Sequence, residues 1–300
     1  MSKPLLNHTM FRIADPNRSK DFYAKHFGMT VVETLKVPEL GFTNYFLGFD
    51  GQGALHEKKP WYLREGLLEL CHNHSATAEN FVANNGNKEP HRGFGHICFS
   101  VENLEQFCSK LESDGVKFQK RLADGRQKNI AFALDPDGYW IELIENTGKA
   151  TRFNHTMLRV KDKTKSLNFY INDLGMKLVD ERDFPEAKFT LYFLSFDHNP
   201  GPRHDTEGLL ELTYNYGTEK DEQFVYHTGN EEPQGYGHIG LAVDNVQEFL
   251  NKLEAKGVKI TKRVEDGKLK FIAFVSDPDG YSYELLPKAE FPDDLFADPK

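Results

Sequence analysis

The chain has 300 residues, a net charge of −9, 39% hydrophobic residues and 24 phenylalanines. At roughly 100–200 residues per domain this is material for two packed domains, and disorder is excluded. The acidic balance excludes a broad basic surface for nucleic acid, no run of about 18 apolar residues exists to cross a membrane, and Met1 to Met10 lacks the basic-then-apolar layout of a secretory signal. Cys71, Cys98 and Cys108 form no CxxC pair and read as reduced thiols, so the expected location is cytoplasmic.

Along the chain, His8 to Ile13 predicts a strand. Asp15 then supplies an N-cap and Pro16 a first-turn proline for a helix reaching about Phe27, with Gly28 as its stop. Met29 to Lys36, Phe42 to Phe49 and Leu67 to His72 predict three strands. The pattern restarts at Gly95-His96-Ile97-Cys98-Phe99, followed by a helix from Val101 to Ser113 ended by Asp114-Gly115. Strands near Val116–Arg121, Asn129–Leu134 and Tyr139–Glu145 complete it, with Asp135-Pro136-Asp137-Gly138 as the turn between the last two. Each unit is therefore βαβββ.

The second half repeats the first. Asn7-His8-Thr9-Met10 returns as Asn154-His155-Thr156-Met157, an offset of 147 residues. Gly66-Leu67-Leu68-Glu69-Leu70, Gly95-His96-Ile97 and Asp135-Pro136-Asp137-Gly138-Tyr139 all return 142 residues later. A whole-domain tandem duplication follows. The expected architecture is α+β, with four βαβββ modules in two repeated domains, residues 1–148 and 149–300.

Each module carries one histidine and one glutamate isolated in otherwise apolar strands: His8 and Glu69, His96 and Glu142, His155 and Glu211, His238 and Glu284. If the first and last strands of a module are neighbours, the two side chains project side by side. A buried carboxylate is costly unless paired or metal-bound. Histidine with glutamate suits Zn²⁺, Ni²⁺, Co²⁺ or Fe²⁺ and disfavours a thiolate-type site. A lone strand histidine is ordinarily a hydrogen-bonded structural residue; the recurrence of the pair in all four modules turns the reading towards metal. His72 and His74 are matched by Tyr214 and Tyr216 in the other repeat and read as surface or rim residues. His26, His56, His91, His198, His204 and His227 fall in loops or helix ends. The acidic tail from Phe291 to Lys300, with Asp293 and Asp294, reads as a solvated end.

Five segments, Asn7-His8-Thr9-Met10, Leu68-Glu69-Leu70, Gly86-Asn87-Lys88-Glu89-Pro90, Arg92-Gly93-Phe94-Gly95-His96-Ile97 and Asp135-Pro136-Asp137-Gly138-Tyr139-Trp140-Ile141-Glu142, together with their counterparts in the second repeat, resemble glyoxalase I of the vicinal oxygen chelate superfamily in its two-domain fungal form. The resemblance spans almost the whole chain. It implies sites formed between modules. One would take His8 and Glu69 with His238 and Glu284; the other would take His155 and Glu211 with His96 and Glu142. It also implies contacts to glutathione from Arg12, Asn73 and Lys262 at the first site, and from Arg159, Asn215, Arg92 and Lys120 at the second. The activity implied is lactoylglutathione lyase: isomerisation of the methylglyoxal–glutathione hemithioacetal to S-D-lactoylglutathione. Glu284 and Glu142 would be the bases, with a divalent metal, Zn²⁺ first and Ni²⁺ or Co²⁺ as alternatives, and glutathione as co-substrate. Pairing within one chain implies a monomer. Two features depart from the family pattern: Gln234 stands opposite Arg92, and Cys71-His72-Asn73-His74-Ser75 replaces the usual Thr-His-Asn-Trp-Gly. A ring-cleaving dioxygenase would use two histidines and one glutamate, and the second glutamate at each site weighs against it; a drug-binding module would need no His/Glu pairs, and the four pairs weigh against that.

Overall fold

The computed structural model describes residues 2–125, 127–148, 150–196 and 201–291. Lys149 in the linker, His198 and the acidic tail beyond Phe291 lie outside the described residues.

The first module comprises β1 (Leu5–Arg12), α1 (Pro16–Phe27), β2 (Thr30–Val37), β3 (Phe42–Gly48) and β4 (Leu67–Asn73). The second is β5 (Phe94–Val101), α2 (Leu104–Ser113), β6 (Phe118–Lys120), β7 (Ile130–Leu134) and β8 (Trp140–Glu145). The third is β9 (Arg152–Val160), α3 (Lys163–Leu167), β10 (Lys177–Phe184), β11 (Phe189–Ser195) and β12 (Leu209–Asn215). The fourth is β13 (Tyr236–Val243), α4 (Val246–Ala255), β14 (Lys259–Lys262), β15 (Ala273–Ser276) and β16 (Ser282–Pro287).

Helix α1 begins and ends where its residues dictate. Asp15 accepts the amides of Asn17 and Arg18, and Gly28 closes the helix in the left-handed conformation. Helix α2 starts at Leu104 rather than at Val101, because Val101 still belongs to β5 and Asn103 caps the helix by accepting the Gln106 amide. In the third module the helix is split: α3 stops at Leu167 and a wider turn continues over Asn168–Asp173. Two aromatic, one β-branched and three Asx residues give that stretch poor helix propensity.

The modules form two eight-stranded sheets. The first runs β14-β15-β16-β13-β1-β4-β3-β2 and the second β10-β11-β12-β9-β5-β8-β7-β6. Each sheet therefore joins modules from different halves of the chain: first with fourth, second with third. The first and last strands of each module are parallel neighbours, as in β1 with β4 and β5 with β8. This sets their histidine and glutamate side by side.

Strand alternation divides the faces. On β1, His8, Met10 and Arg12 point to one face and Thr9 and Phe11 to the other. The latter face meets the opposite sheet. Thr9 and Thr156 share a 2.5 Å hydrogen bond there, Phe11 stacks on Tyr139 at 4.1 Å, and Phe94 stacks on Tyr236 at 5.1 Å. The helices fill the remaining space, with Phe27 of α1 packed 4.4 Å from Phe99 of β5. Each such fully buried phenylalanine contributes roughly 1.5–3 kcal/mol. The Asp-Pro-Asp-Gly turns lock the assembly. Asp135 accepts the amides of Asp137 and Tyr139 and the hydroxyl of Tyr23; Asp277 does the same for Asp279, Tyr281 and Tyr170.

Candidate metal and active sites

At the centre of the first sheet, His8 (β1), Glu69 (β4), His238 (β13) and Glu284 (β16) converge, with their four potential ligand atoms within 4.8 Å of one another. His8 Nε2 lies 2.9 Å from Glu69 Oε2, 3.3 Å from Glu284 Oε2 and 3.0 Å from His238 Nε2. The second sheet gathers His96 (β5), Glu142 (β8), His155 (β9) and Glu211 (β12) in the same way. There His155 Nε2 is 2.8 Å from Glu211 and 3.2 Å from Glu142, and the two imidazoles are 3.3 Å apart.

One histidine in each set is oriented from behind. His8 Nδ1 is 2.7 Å from Asn7 Oδ1, whose amide nitrogen donates to the carbonyls of Trp61 and Arg64. His155 Nδ1 is likewise 2.7 Å from Asn154 Oδ1, whose amide donates to Arg203 and Thr206. Since each amide nitrogen is committed to two carbonyls, the amide oxygen faces the ring and Nδ1 carries its proton. Nε2 is then a lone pair aimed at carboxylates. Glu69 Oε2 is buried, and the polar atoms it faces are the Nε2 atoms of His8 at 2.9 Å and His238 at 3.3 Å. Lone pairs from two histidines and two carboxylates facing one point require a positive charge between them. The same demand appears in the titration behaviour. Burial pushes His8 and His96 down, but the neighbouring glutamates outweigh it and hold both up at about 9. Burial pushes Glu211 up, and its hydrogen bonds to His155 and His96 overcome this and hold it at about 2. The donor sets fit a divalent cation of the Zn²⁺, Ni²⁺ or Co²⁺ kind.

The first site opens into a cavity of about 890 Å³ lined by Glu69, His238 and Glu284 together with Arg12, Asn73 and Lys262. Arg12 is held by Asn230 Oδ1 at 2.8 Å and the Tyr236 carbonyl at 3.2 Å, and Lys262 Nζ by the carbonyls of Leu269 and Ile272. At the second site, Arg159 is buried and donates to Asn87 Oδ1 at 2.8 Å and to the Gly86 and Phe94 carbonyls; Asn215 donates to the Tyr226 hydroxyl; Lys120 donates to the Gln127 and Ile130 carbonyls; and Arg92 pairs with Glu89 at 3.2 Å. A cavity of about 490 Å³ reaches Glu142 and Glu211, but those four residues are not in its walls; Arg182, Arg203 and His204 are. His72 and His74 stand outside both clusters, bonded to the Ala76 carbonyl and to Thr43.

The sequence reading missed Asn7 and Asn154 as supports and Arg182 and Arg203 as wall residues. For the asparagines the signal was their repetition immediately before each β1/β9 histidine. For the arginines it was their replacement of Leu35 and Trp61 at the matching positions of the first repeat.

The model of the Glyoxalase/Bleomycin resistance protein/Dioxygenase superfamily matches the chain twice, over residues 5–143 and 152–285. A lactoylglutathione lyase of Schizosaccharomyces pombe is 50% identical over 295 residues, covering 95% of this chain and 97% of its own. Glyoxalase I of Saccharomyces cerevisiae is 48% identical over 303 residues, covering 94% and 92%. The chain belongs to the glyoxalase I family. Its fold agrees with the crystal structure of glyoxalase I from Zea mays, with a TM-score of 0.75 at 28% identity over 98% of this chain and 95% of that one. That match covers both sheets of this glyoxalase at once. Among its described residues no helix is long and apolar enough to cross a membrane.

Proposed function

We infer that this glyoxalase converts the hemithioacetal of methylglyoxal and glutathione into S-D-lactoylglutathione. The observation that carries the reading is the convergence of two histidines and two glutamates at the centre of each sheet, beside a cavity in a glyoxalase I fold. We assign His8, Glu69, His238 and Glu284 as the first ligand set and His155, Glu211, His96 and Glu142 as the second. A bound divalent cation supplies Lewis-acid stabilisation to the oxygens that become negative during the reaction.

The remaining chemistry belongs to the chain. The proton on the sulfur-bearing carbon is only weakly acidic, and a carboxylate placed at that carbon removes it and returns it to the neighbouring carbon, so that no redox cofactor is consumed. Glu284 and Glu142 are the proposed bases. Their side chains are 14% and 12% exposed, against 2% and 5% for Glu69 and Glu211, so the substrate meets them more readily. Arg12, Asn73 and Lys262 line the first cavity where glutathione's carboxylates and amides require donors; Arg159, Asn215, Arg92 and Lys120 are the counterparts proposed for the second site.

Zn²⁺ is the proposed native metal, from the nitrogen and oxygen donor set. A cytoplasmic monomer is proposed, since both ligand sets are completed within one chain and the cysteines are unpaired. The test is thioester formation from methylglyoxal and glutathione, followed by ultraviolet absorbance on chelator-stripped protein before and after Zn²⁺, Ni²⁺ or Co²⁺ is added. Activity restored by metal is the expected result. A folded protein inactive with every metal would overturn the reading.

A further inference from the structure

The two sites are built from matching positions, yet the walls beyond their ligand sets are chemically opposite. At the first site Phe46 is the register partner of Glu69, and Trp61 packs on Phe46 at 4.4 Å between ring centroids. Phe291 meets Trp61 at 4.9 Å and Phe271 at 4.4 Å, and the space enclosed by this group against Glu69 and Glu284 is only about 30 Å³. At the second site Phe193 is the register partner of Glu211 in the same way. Here Arg203 takes the place of Trp61, its guanidinium 4.1 Å from the Phe193 ring centroid. Arg182, partner of Leu191, takes the place of Leu35, partner of Asn44. Gln127 and Asn129 stand where the first site has Leu269 and Phe271. The result is a cavity of about 490 Å³ with Glu142 and Glu211 in its walls.

This pocket lies on the far side of the ligand set from Arg159 and Asn215, while Lys120 is bonded to its wall residues Gln127 and Ile130. Arg159 is the penultimate residue of β9 and Asn215 the last of β12, whereas Arg203 precedes β12 and its carbonyl is held by Asn154, before His155. A ligand whose glutathione part runs towards Arg159 and Asn215 turns its other substituent towards Arg182 and Arg203. Among the described residues the carboxylate in ionic contact with the two guanidiniums is Asp180, 2.9 Å from Arg182 and 3.2 Å from Arg203. One carboxylate shared by two arginines leaves this corner of the cavity with one guanidinium charge in excess, apart from the Glu142 and Glu211 of the ligand set. Glu145 also lines the cavity, on the β8 side.

We propose that the second site takes α-oxoaldehydes whose substituent carries an anionic group, such as a carboxylate or phosphate, with Arg182 and Arg203 as the residues that set this specificity, while the closed apolar wall of the first site confines it to small or apolar substituents. The proposal rests on the two-site reading above. An arginine fork matches a planar or tetrahedral anion bidentately, and a hydrocarbon wall offers an anion nothing in exchange for its hydration.

The experiment compares phenylglyoxal with 4-carboxyphenylglyoxal, each as its glutathione adduct, in Glu284→Gln and Glu142→Gln, which leave the second and the first site respectively. The kcat/KM ratio, carboxylated over plain, is expected to be about tenfold higher in Glu284→Gln than in Glu142→Gln. Arg182→Leu, on an edge strand with a side chain 46% exposed, should bring the Glu284→Gln ratio down to that of the first site. Equal ratios at the two sites, or a ratio indifferent to Arg182→Leu, would overturn the proposal. Calorimetry of metal-loaded full chain with S-(4-carboxybenzyl)glutathione gives a reading independent of turnover. Two affinity classes, the tighter removed by Arg203→Leu or Arg182→Leu, support it; a single class unchanged by both sinks it. Loss of all turnover in either single glutamate variant would instead count against two independent sites, and the binding experiment would still decide the pocket.

Discussion

The two His/Glu clusters of this glyoxalase descend from one pattern, and they agree closely where the chemistry is proposed and diverge just outside it. Both have a histidine buried against an asparagine, a second histidine, and an inner and an outer glutamate. Around them, Gly240 is the register neighbour of Glu284 and leaves room for the His8 imidazole, since a Cβ at Gly240 would fall on that ring. Cys98 holds the matching place beside Glu142, its thiol pushed far up by burial and by that carboxylate. Arg203 stands in the place of Trp61, and Arg182 in that of Leu35. The comparison teaches that duplication has preserved the side chains aimed at a single point and released those one layer out, where each pocket meets a different part of a ligand.

The sharpest way to break the comparison is to remove one base at a time. Glu142→Gln should silence the site that also holds His155, and Glu284→Gln the site that holds His8. At the affected site the loss should be about 10²–10⁴-fold, the usual contribution of a positioned proton-transfer group. Each single variant therefore retains the turnover of the other site, and the double variant retains almost none. Steady-state thioester formation by the three proteins decides it. Abolition of all turnover by either single change would mean that the sites do not work independently.

Next in size is the support behind each buried histidine. Asn7→Leu removes the acceptor that keeps the proton on His8 Nδ1, and Asn154→Leu does the same for His155. Loss of such an outer partner typically costs about 10–100-fold in metal affinity. Titration of chelator-stripped protein with Co²⁺, read by its visible absorbance, should show one weakened and one unchanged site in each variant. Equal weakening of both sites by Asn7→Leu would show that the asparagine acts through the fold rather than through its own histidine.

The sequence exposed the parts of the molecule that local rules govern. Asp15, Pro16 and Gly28 bound α1 as capping chemistry requires, and the 142- and 147-residue offsets mark the second half as a copy of the first. The His/Glu pairs were legible because a charged residue in Leu-Leu-Glu-Leu has few reasons to exist. Which module partners which could not be read from pattern: β1 pairs with β13 and β5 with β9 across long intervals of chain, and only the resemblance supplied that cross-pairing. Arg182 and Arg203 were equally hidden. An exposed edge strand and a short turn normally carry arginines for solubility alone, and nothing local says that Phe193 brings Arg203 against a ligand set.

The smallest expected effect concerns the seam between the halves, where the comparison becomes a contact. Gly66 and Gly208 both adopt positive φ, and a Cβ on either would crowd the other half: Glu207 Cβ and the Phe153 carbonyl for Gly66, Glu65 Cβ and the Leu6 carbonyl for Gly208. Glu65 and Glu207 are thereby buried near each other. Burial pushes Glu65 up to about 7. Burial, with Glu65 adding to it and Arg152 opposing it, pushes Glu207 up to about 8. His56 Nε2, 3.8 Å from Glu207, is itself pushed down to about 4 by burial and gives little compensating charge at neutral pH. Both carboxyls thus bind their protons more tightly in the folded chain than in the unfolded one, where the ordinary value is 4.5. The folded state holds the extra protons between those values, so the stability they contribute is complete below about pH 4.5 and is lost as pH rises through 7 to 8. Glu207→Gln removes the larger of the two penalties while keeping the shape. It should raise the melting temperature at pH 8 by several degrees, at about 2–4 °C per kcal/mol for a chain of this order of size, and change it little at pH 5. Thermal melts of metal-loaded protein at the two pH values check this. An equal shift at both would assign the effect to packing, and no shift at pH 8 would mean that Arg152 already neutralises Glu207 at the seam.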